Sequence, residues 1–532
     1  MGSMRLRDGV VCLLVGACGG GGGTAGPANV GTSGSESSAG VAIAARPIVA
    51  PSLTVGDDVT EREQARNGDG VRPPPSVFRA IEIRPIEAPQ AQRFEGGYRI
   101  QLQSRAPVMT PAVYEDLVVV SGGFRSREMF AFDARTGAKA WAIGLGDDGP
   151  STPACEDRVC VFNTESCTIF AVDARTGELL WSWYIGDPLM SAPSIANGLV
   201  FASYPIRGGG GWTAGEDRPL PEGASHAIAA FDLHSGELRW ARWIDADVIS
   251  APVAILDKVY ASTFAGTMYQ WDQATGELLA ARAAAATSAP AWIDGALYFT
   301  RRVDDGGQSF EQVVRSGDEV AVAGGSGKPD GPPAQASPRR QADYIRYDFQ
   351  DGSAFGAESV QLDAANGFSG GAPSAANTAV ARGLIGRSTV HGLQEYQGSW
   401  VLGIAAGNYA TMGDALIAYD RQTGMQRWTV PLPGNLVREG GALGAPPAAA
   451  GGRLVVATLS GDVLVIDPDG GDVRRTLSAG APLRTQAVVD GGWIYVGSAD
   501  GQLVAFDTGD PTLTGWPTWA ANPARTGSSS AR

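Results

Sequence analysis

The stretch Asp133-Ala-Arg-Thr-Gly137, followed four residues later by Trp141, decides the fold because its pattern recurs along the chain. The Asp and Gly of the recognisable copies are Asp133 and Gly137, Asp173 and Gly177, Asp232 and Gly236, Asp272 and Gly276, Asp363 and Gly367, and Asp420 and Gly424. Degenerate copies begin at Asp467 and Asp507. The tightest spacing is 40 residues, which accommodates the four short strands of one propeller blade.

Each unit has the same internal order. It opens with a strand that contains proline, such as Thr110-Pro-Ala-Val113, and continues through a turn into an alternating strand, such as Leu117-Val-Val-Val120. A third apolar strand runs into the Asp-x-x-(Thr/Ser)-Gly turn, where the Asp can accept backbone N–H bonds and Gly tolerates positive φ. The sequence therefore predicts an all-β, eight-bladed β-propeller of four-stranded antiparallel blades, with seven blades as the alternative.

A tryptophan follows the turn glycine by four residues in four units, as Trp141, Trp181, Trp240 and Trp428. This pattern, repeated over roughly residues 105–510, resembles the PQQ-type propeller repeat of quinoprotein dehydrogenases and of BamB-like outer-membrane assembly lipoproteins. Repeats of the WD class share the ending, and Trp271-Asp272 reproduces their dipeptide, but no unit begins with their Gly-His. By resemblance to lipoprotein propellers, the segment Tyr98-Arg-Ile-Gln-Leu-Gln103 should join the last blade and close the ring.

The N-terminus carries a targeting signal. Met4-Arg-Leu-Arg7 is basic, a short apolar run follows, and Val15-Gly-Ala-Cys18 resembles the lipobox of bacterial lipoproteins, which implies lipidation at Cys18. An ordinary secretory signal with a chance cysteine is the alternative. We predict a signal at 1–18, a flexible Gly/Ser/Pro tether at 19–75, the propeller at 76–510 and a C-terminal tail at 511–532. Gly19 favours the outer membrane, on its periplasmic or its exposed side.

Three cysteines remain after Cys12 and Cys18 are set aside, and we interpret them as structural. If Asp157-Arg158 forms a two-residue hairpin turn, Cys155 and Cys160 face each other on adjacent strands, which suits a disulfide. Cys160 with Cys167 is the competing pair.

Units longer than 40 residues contain insertions at 206–225, 303–357 and 368–387, with a shorter one at 404–414. We assign 206–225 and 303–357 to the loops between the second and third strands of blades 3 and 5, and 368–387 to the link between blades 5 and 6. All of them then lie on one face, opposite the Asp turns. Candidate partner-binding residues on this face, enriched in Arg and aromatic side chains, are Trp212, Arg339, Arg340, Tyr344, Arg346, Tyr347 and Phe349. The alternative is that these side chains only pack the insertions onto the propeller.

The composition narrows the function. Charged residues make up 18% of the chain and the formal net charge is −15, which argues against a nucleic-acid partner. The chain has three His, no Cys-Cys pair, no P-loop and no nucleophile elbow, so we predict no catalytic, cofactor-binding or metal site. The leading hypothesis is a lipid-anchored scaffold that binds other cell-envelope proteins, including an outer-membrane barrel assembly component. The alternative is a PQQ-dependent quinoprotein dehydrogenase-like enzyme or a small-ligand-binding propeller.

Overall fold

The structure is a computed structural model that describes residues 49–68, 83–123, 126–164, 168–185, 191–205, 221–286, 288–293, 295–305, 308–317, 323–324, 401–404, 407–412, 414–420, 425–435 and 443–527. Their strands form eight antiparallel sheets of four or five strands. First strands of neighbouring blades contact one another and form the inner ring; Ala112–Tyr114, for example, contacts Ala154–Glu156 and Val488–Asp490. The prediction of an eight-bladed β-propeller is confirmed.

The first four blades follow the chain from the inside outwards. Blade 1 consists of Ala112–Tyr114, Leu117–Ser121, Glu128–Asp133 and Lys139–Gly144, with Arg84–Pro85 on its outer edge. Blade 2 consists of Ala154–Glu156, Val159–Asn163, Thr168–Asp173 and Leu179–Tyr184. Blade 3 consists of Ser194–Ala196, Leu199–Pro205, His226–Asp232 and Leu238–Ile244. Blade 4 consists of Val253–Ile255, Lys258–Ser262, Thr267–Asp272 and Leu278–Ala283, with Asp57–Asp58 on its outer edge.

The other four blades have the same order. Blade 5 consists of Ala291–Ile293, Ala296–Asp305, Gln308–Ser316 and Ala323–Gly324. Blade 6 consists of Val401–Ile404, Gly407–Met412, Ala415–Tyr419 and Gln426–Pro431. Blade 7 consists of Ala448–Ala450, Arg453–Ala457, Asp462–Ile466 and Val473–Ser478. Blade 8 consists of Val488–Asp490, Trp493–Gly497, Gln502–Asp507 and, from the N-terminal side, Gly97–Gln101, with Gln92–Phe94 outside it.

The core lies between neighbouring blades. The second strands Leu117–Ser121 and Val159–Asn163 are buried along their whole length, because each face of a blade packs on the next blade. One apolar cluster, for example, joins Val119 and Met129 of blade 1 to Phe170 of blade 2. Blade-to-blade packing thus replaces a single central core.

The Asp turns hold themselves together. The Oδ1 atom of Asp133 accepts hydrogen bonds from the backbone N–H of Arg135 at 3.1 Å and of Thr136 at 2.7 Å, and from Thr136 Oγ1 at 2.6 Å. The corresponding three bonds recur at Asp173, Asp232 and Asp272. The Thr136 hydroxyl and the two backbone donors stabilise the carboxylate and lower the pKa of Asp133. These turns are therefore built by local chemistry alone.

In blades 1, 2, 3 and 6, the tryptophan after the turn joins the blade to the next one. Its indole N–H donates to the carbonyl of the residue that follows the Asp in the next turn. The four pairs are Trp141 with Ala174 at 2.9 Å, Trp181 with Leu233 at 2.8 Å, Trp240 with Gln273 at 2.7 Å, and Trp428 with Pro468 at 3.1 Å. The ring lies against the next turn glycine, where a Cβ at Gly236 would be 2.6 Å from Trp181. We call this arrangement the inter-blade tryptophan contact.

Other side chains make the equivalent bond elsewhere in the ring. Between blades 7 and 8, Arg475 donates to the carbonyl of Thr508 at 2.7 Å. Between blades 8 and 1, the hydroxyl of Tyr98 donates to the carbonyl of Ala134 at 3.1 Å. Tyr98 lies on Gly97–Gln101, which pairs with Gln502–Asp507 of the last blade, as the resemblance to lipoprotein propellers led us to expect. The closing strand therefore joins the last blade to the first.

Residues 49–68 differ from the predicted tether of 19–75. Leu53 and Val55 are buried, Asp57–Asp58 adds to the edge of blade 4, and Thr60–Asn67 forms a helix that contacts blades 3 and 4. Apolar and polar residues alternate in Pro51-Ser-Leu-Thr-Val55, which is typical of an extended, half-buried segment. The prediction of a tether rested on the low aromatic content of 19–75 and did not take this alternation into account. None of the helices in the described residues is long and apolar enough to cross a membrane.

Blades 5 and 6 also differ from the prediction. The strands Ala296–Asp305 and Gln308–Ser316 form one long hairpin, so that residues from 303 to 316 belong to blade 5 rather than to an insertion starting at 303. The pair Gly306-Gly307 in the sequence is the hairpin signal that was missed. Because the third strand of blade 5 ends at Ser316, a turn at Asp363 to Gly367 does not follow it, and both residues lie outside the described ranges.

The locations of the additional residues, those beyond the 40-residue unit, also differ from the prediction in blades 5 and 6. Val401–Ile404 and Gly407–Met412 are the first two strands of blade 6, so 404–414 is not an extended loop. The excess between blades 5 and 6 is 325–400, between the fourth strand of one and the first strand of the other. The excess in blade 3 stays where it was predicted, between Leu199–Pro205 and His226–Asp232.

The structure joins Cys155 and Cys160 in a disulfide, with their Cα atoms 4.1 Å apart. Asp157 and Arg158 form the turn between their strands and have φ angles of 45° and 65°, as a two-residue hairpin of the primed type requires. Cys18 and Cys167 lie outside the described residues.

Candidate functional site: the insertion face and the axis

The two faces of the propeller follow from the strand order. In each antiparallel blade, the loop between the second and third strands and the connection to the next blade lie on one face, which we call the insertion face. The Asp turns lie on the opposite face, which we call the turn face. The strands that flank the two long additional segments end on the insertion face. These strands end at Pro205 and begin at His226 in blade 3, and they end at Gly324 in blade 5 and begin at Val401 in blade 6.

The predicted partner-binding side chains lie outside the described residues. This applies to Trp212, Arg339, Arg340, Tyr344, Arg346, Tyr347 and Phe349. The insertions that carry them begin and end on the insertion face, and their role in binding stays a prediction.

Two carboxylates, the buried Asp245 and the half-buried Asp147, fix the base of the insertion face. Asp245, in the connection from blade 3 to blade 4, accepts a bond from Thr263 Oγ1 at 2.7 Å and another from Thr267 Oγ1. Asp147, in the connection from blade 1 to blade 2, bonds Thr164 Oγ1 at 2.9 Å and also Thr168 Oγ1. In both places a carboxylate from one blade holds the two ends of the next blade's second-to-third loop. The ends of the second-to-third loops of blades 2 and 4 are therefore fixed to the preceding blade.

The N-terminal helix adds a buried charge to the same region. Glu63 on the helix is completely buried, accepts a hydrogen bond from the hydroxyl of Tyr269 at 2.9 Å, and pairs with Arg66. Asn67 exchanges hydrogen bonds with the backbone of Trp243 in blade 3. These polar contacts hold the helix across blades 3 and 4. The sequence did not predict them, because Tyr269 and Trp243 lie more than 170 positions from Glu63 and Asn67 along the chain.

His226 is the one described histidine that is buried, and it begins the third strand of blade 3. Its Nδ1 lies 2.8 Å from Ser225 Oγ, and burial lowers its pKa from 6.5 to about 3. A neutral imidazole therefore lies at the start of the third strand of blade 3.

We expect this histidine to make stability pH-dependent. Because its pKa is lower in the folded chain than in the unfolded chain, the unfolded chain binds the proton more tightly, and stability present above pH 6.5 is lost as the pH falls toward 3. The contribution lost by pH 4 is roughly 3 kcal/mol. His226→Gln should flatten the dependence of the unfolding midpoint on pH between 6.5 and 4, whereas Leu180→Ala, which changes an exposed side chain without a titratable group, should not change that slope. A slope for His226→Gln equal to that of the unaltered chain would contradict the assignment.

The axis is occupied by the chain's own C-terminal segment, which was predicted to be a tail outside the propeller. Residues 511–527 instead bond the inner ring. Backbone N–H groups that donate to this segment are Gly451 to Thr514, Val489 to Trp516, Val113 to Pro517, Ile195 to Pro523, Ala254 to Ala524 and Trp292 to Thr526. These donors belong to blades 7, 8, 1, 3, 4 and 5. The segment therefore links most of the ring at its centre.

Arg525 and two tryptophans fix this axial segment. Trp516, Trp519 and Arg525 are almost completely buried. The Arg525 guanidinium donates to the carbonyls of Trp519 at 2.9 Å, Pro193 at 3.3 Å and Pro153 at 3.4 Å. It also lies over the Trp519 ring, 5.0 Å from its centroid. Backbone carbonyls and an aromatic face thus stabilise the buried cation.

The described ranges, with their gaps, contain no group of three or more His, Cys, Asp or Glu side chains that could hold a metal ion. The degenerate turn that begins at Asp467 has a structural role. The Asp467 carboxylate accepts a hydrogen bond from the N–H of Asp469 within the turn and pairs with Arg474.

Eight blades, Asp turns and inter-blade tryptophan contacts define an eight-bladed β-propeller of the PQQ-type repeat class. The family model described as outer membrane protein assembly factor BamB matches residues 99–321 and 410–530, more than half of the chain. The chain belongs to this family. No curated protein matches the sequence significantly.

Several solved structures resemble the fold. BamB from Moraxella catarrhalis is 15% identical, with a TM-score of 0.46 over 80% of this chain and 98% of that chain. The quinohemoprotein alcohol dehydrogenase ADHIIG from Pseudomonas putida HK5 is 12% identical, with a TM-score of 0.44 over 78% and 76% of the two chains. The computationally designed protein Ika8 is 14% identical, with a TM-score of 0.47 over 76% and 98%. These likenesses do not distinguish binding from catalysis.

Proposed function

We propose that this chain is a non-catalytic propeller, anchored to the membrane by lipid at Cys18, that binds other envelope proteins during the assembly of outer-membrane proteins. The observation that carries the proposal is the family match over 99–321 and 410–530, because that family is described by its role in outer-membrane protein assembly. Family membership indicates a protein of the cell envelope. The lipobox at Val15 to Cys18 supports an outer-membrane anchor.

The arrangement of the inner ring favours binding through the insertion face. The axial segment occupies inner-ring backbone donors of six blades, among them Val113, Ile195 and Ala254. The two long excesses, 206–220 and 325–400, leave from the insertion face and contain the Arg and aromatic residues that binding surfaces favour. We therefore propose that Trp212 and the stretch from Arg339 to Phe349 contact the partner.

Site-specific photocrosslinking in intact envelopes tests this proposal. A photoreactive residue in place of Trp212 or Tyr344 should crosslink to a component of the outer-membrane barrel assembly machinery. The matched control is the same residue in place of Lys139, which is exposed near the turn face and should give no such product. Crosslinks from Lys139 alone, or to a partner unrelated to barrel assembly, would overturn the proposal.

The alternative, a quinoprotein-like enzyme or small-ligand-binding propeller, has its own test. The purified protein would be titrated with PQQ and calcium while quinone absorbance and dye reduction by alcohols are followed. We expect neither saturable binding nor turnover. Saturable binding with turnover would replace the scaffold proposal by the enzyme.

A further inference from the structure

The contact between blades 4 and 5 lacks the tryptophan that joins other blades. Four residues after Gly276 the chain has Ala280, where blades 1, 2, 3 and 6 have tryptophan. An alanine in place of an indole leaves room between two blades, because buried aromatic rings contribute most of the volume at such contacts. The N-terminal segment 51–55 fills this room.

Leu53 and Val55 are 3% and 5% exposed and share one apolar cluster with residues of both blades. Tyr260 and Met268 come from blade 4, Leu297, Phe299 and Val314 come from blade 5, and Ala280 packs against the same cluster. From Pro51 to Gly56, buried and exposed residues alternate strictly. The groove therefore holds an extended chain and receives every second side chain.

Both blades also bind the backbone of this segment. The Tyr260 hydroxyl of blade 4 donates to the carbonyl of Pro51 at 2.5 Å. In blade 5, the backbone N–H of Thr54 donates to Ser316 Oγ at 2.7 Å. Asp57–Asp58 then pairs with Leu278–Ala283 as an added strand, and Asp58 pairs with Arg282 at 3.1 Å. Backbone bonds of this kind accept many sequences, whereas the alternate pockets select apolar side chains.

We propose that the groove between blades 4 and 5 is a binding site for extended peptide segments in which apolar and polar residues alternate, and that residues 51–58 occupy it in cis. Its occupant in trans is a strand of an unfolded outer-membrane β-barrel, because such strands are segments of about 10 residues with this alternation. The choice of occupant rests on the proposed function; the peptide site itself rests on the groove.

Peptide titration of the full chain tests the site. The probe is a labelled peptide with the sequence of residues 49–59, and the measurement is fluorescence anisotropy. A tethered segment competes at an effective concentration on the order of millimolar, so the unaltered chain should bind the probe weakly. The Leu53→Ser/Val55→Ser double variant should bind it at least about tenfold more tightly, because its own segment no longer fills the pockets. Ser52→Ala changes an exposed position of the same segment and should behave like the unaltered chain.

A folded double variant, judged by circular dichroism, that binds the probe no better than the Ser52→Ala chain would overturn the site. If the double variant fails to fold, Leu53→Ala provides the same comparison with one pocket emptied. A second pair of peptides tests the occupant: an alternating barrel-strand sequence should bind, and the same composition with its apolar residues in one block should not. Equal binding of the two would overturn the occupant. Neither outcome depends on the envelope crosslinks, so the groove and the proposed function can fail separately.

Discussion

A chain that ends at Asp510 is expected to lose its folded state or to unfold at a far lower denaturant concentration than the full chain. The deletion removes Trp516, Trp519 and Arg525, all buried, together with the carbonyls that bond inner-ring N–H groups of six blades. Loss of each buried tryptophan costs about 3–5 kcal/mol. The sum is on the order of 10 kcal/mol, comparable with the whole stability of a typical domain.

The matched control is a chain that ends at Gly527, which keeps the axial segment and should unfold at the same midpoint as the full chain. Near-ultraviolet circular dichroism and guanidinium titration measure both. A synthetic peptide of residues 511–527 added to the shorter chain should restore part of the lost signal. Identical midpoints for chains ending at Asp510 and at Gly527 would show that the axial segment does not hold the ring.

Trp181→Ala should produce a large loss of stability at the contact between blades 2 and 3. The ring is 5% exposed, packs on Phe231 of the next blade with centroids 6.1 Å apart, and bonds the carbonyl of Leu233. Its loss leaves a cavity and an unsatisfied carbonyl, so we expect a decrease of about 3–5 kcal/mol in the free energy of unfolding.

Leu180→Ala is the control for this substitution, because Leu180 is the preceding residue on the same strand and is 44% exposed. Its effect should stay within about 0.5 kcal/mol. Guanidinium midpoints of the two variants, compared at equal slopes, give the difference. A loss below about 1 kcal/mol for Trp181→Ala would show that the inter-blade tryptophan contact is not what holds blades 2 and 3 together.

The fold was predictable where the signal is local and repeated. Asp133 and Gly137 build a turn from their own side chain and backbone, so the same residues produce the same turn wherever they occur. The indole of Trp141 could be expected at a blade contact from its spacing, although its acceptor, the carbonyl of Ala174, lies 33 residues away. Seven turns, including the worn copies at Asp467 and Asp507, then mark seven of the eight blades, and the copy at Asp363 does not follow the third strand of blade 5.

Long-range contacts were not predictable in the same way. Leu53 and Val55 fill a groove formed by residues more than 200 positions away, and Trp516 bonds the first strand of blade 8 from beyond the last repeat. Neither segment contains a repeat motif, so composition alone assigned one to a tether and the other to a tail. Blade 5 was misassigned because its long second and third strands end without a recognisable Asp turn.

The same difference between local and long-range signals applies to the candidate site. The position of the insertions on one face follows from strand order, which the repeats predict. The buried contacts of Glu63 with Tyr269 and of Asp245 with Thr263 depend on elements brought together only by the fold. Polar residues such as these carry no spacing signal in the sequence.

The role in outer-membrane assembly is tested most directly by removing the protein from the cell that makes it and measuring folded β-barrels in the outer membrane by their heat-modifiable migration. The proposal predicts that folded barrels decrease, that the full chain restores them, and that a Cys18→Ser chain, which cannot be lipidated there, restores them poorly. Unchanged levels of folded barrels in cells that lack the protein would contradict it.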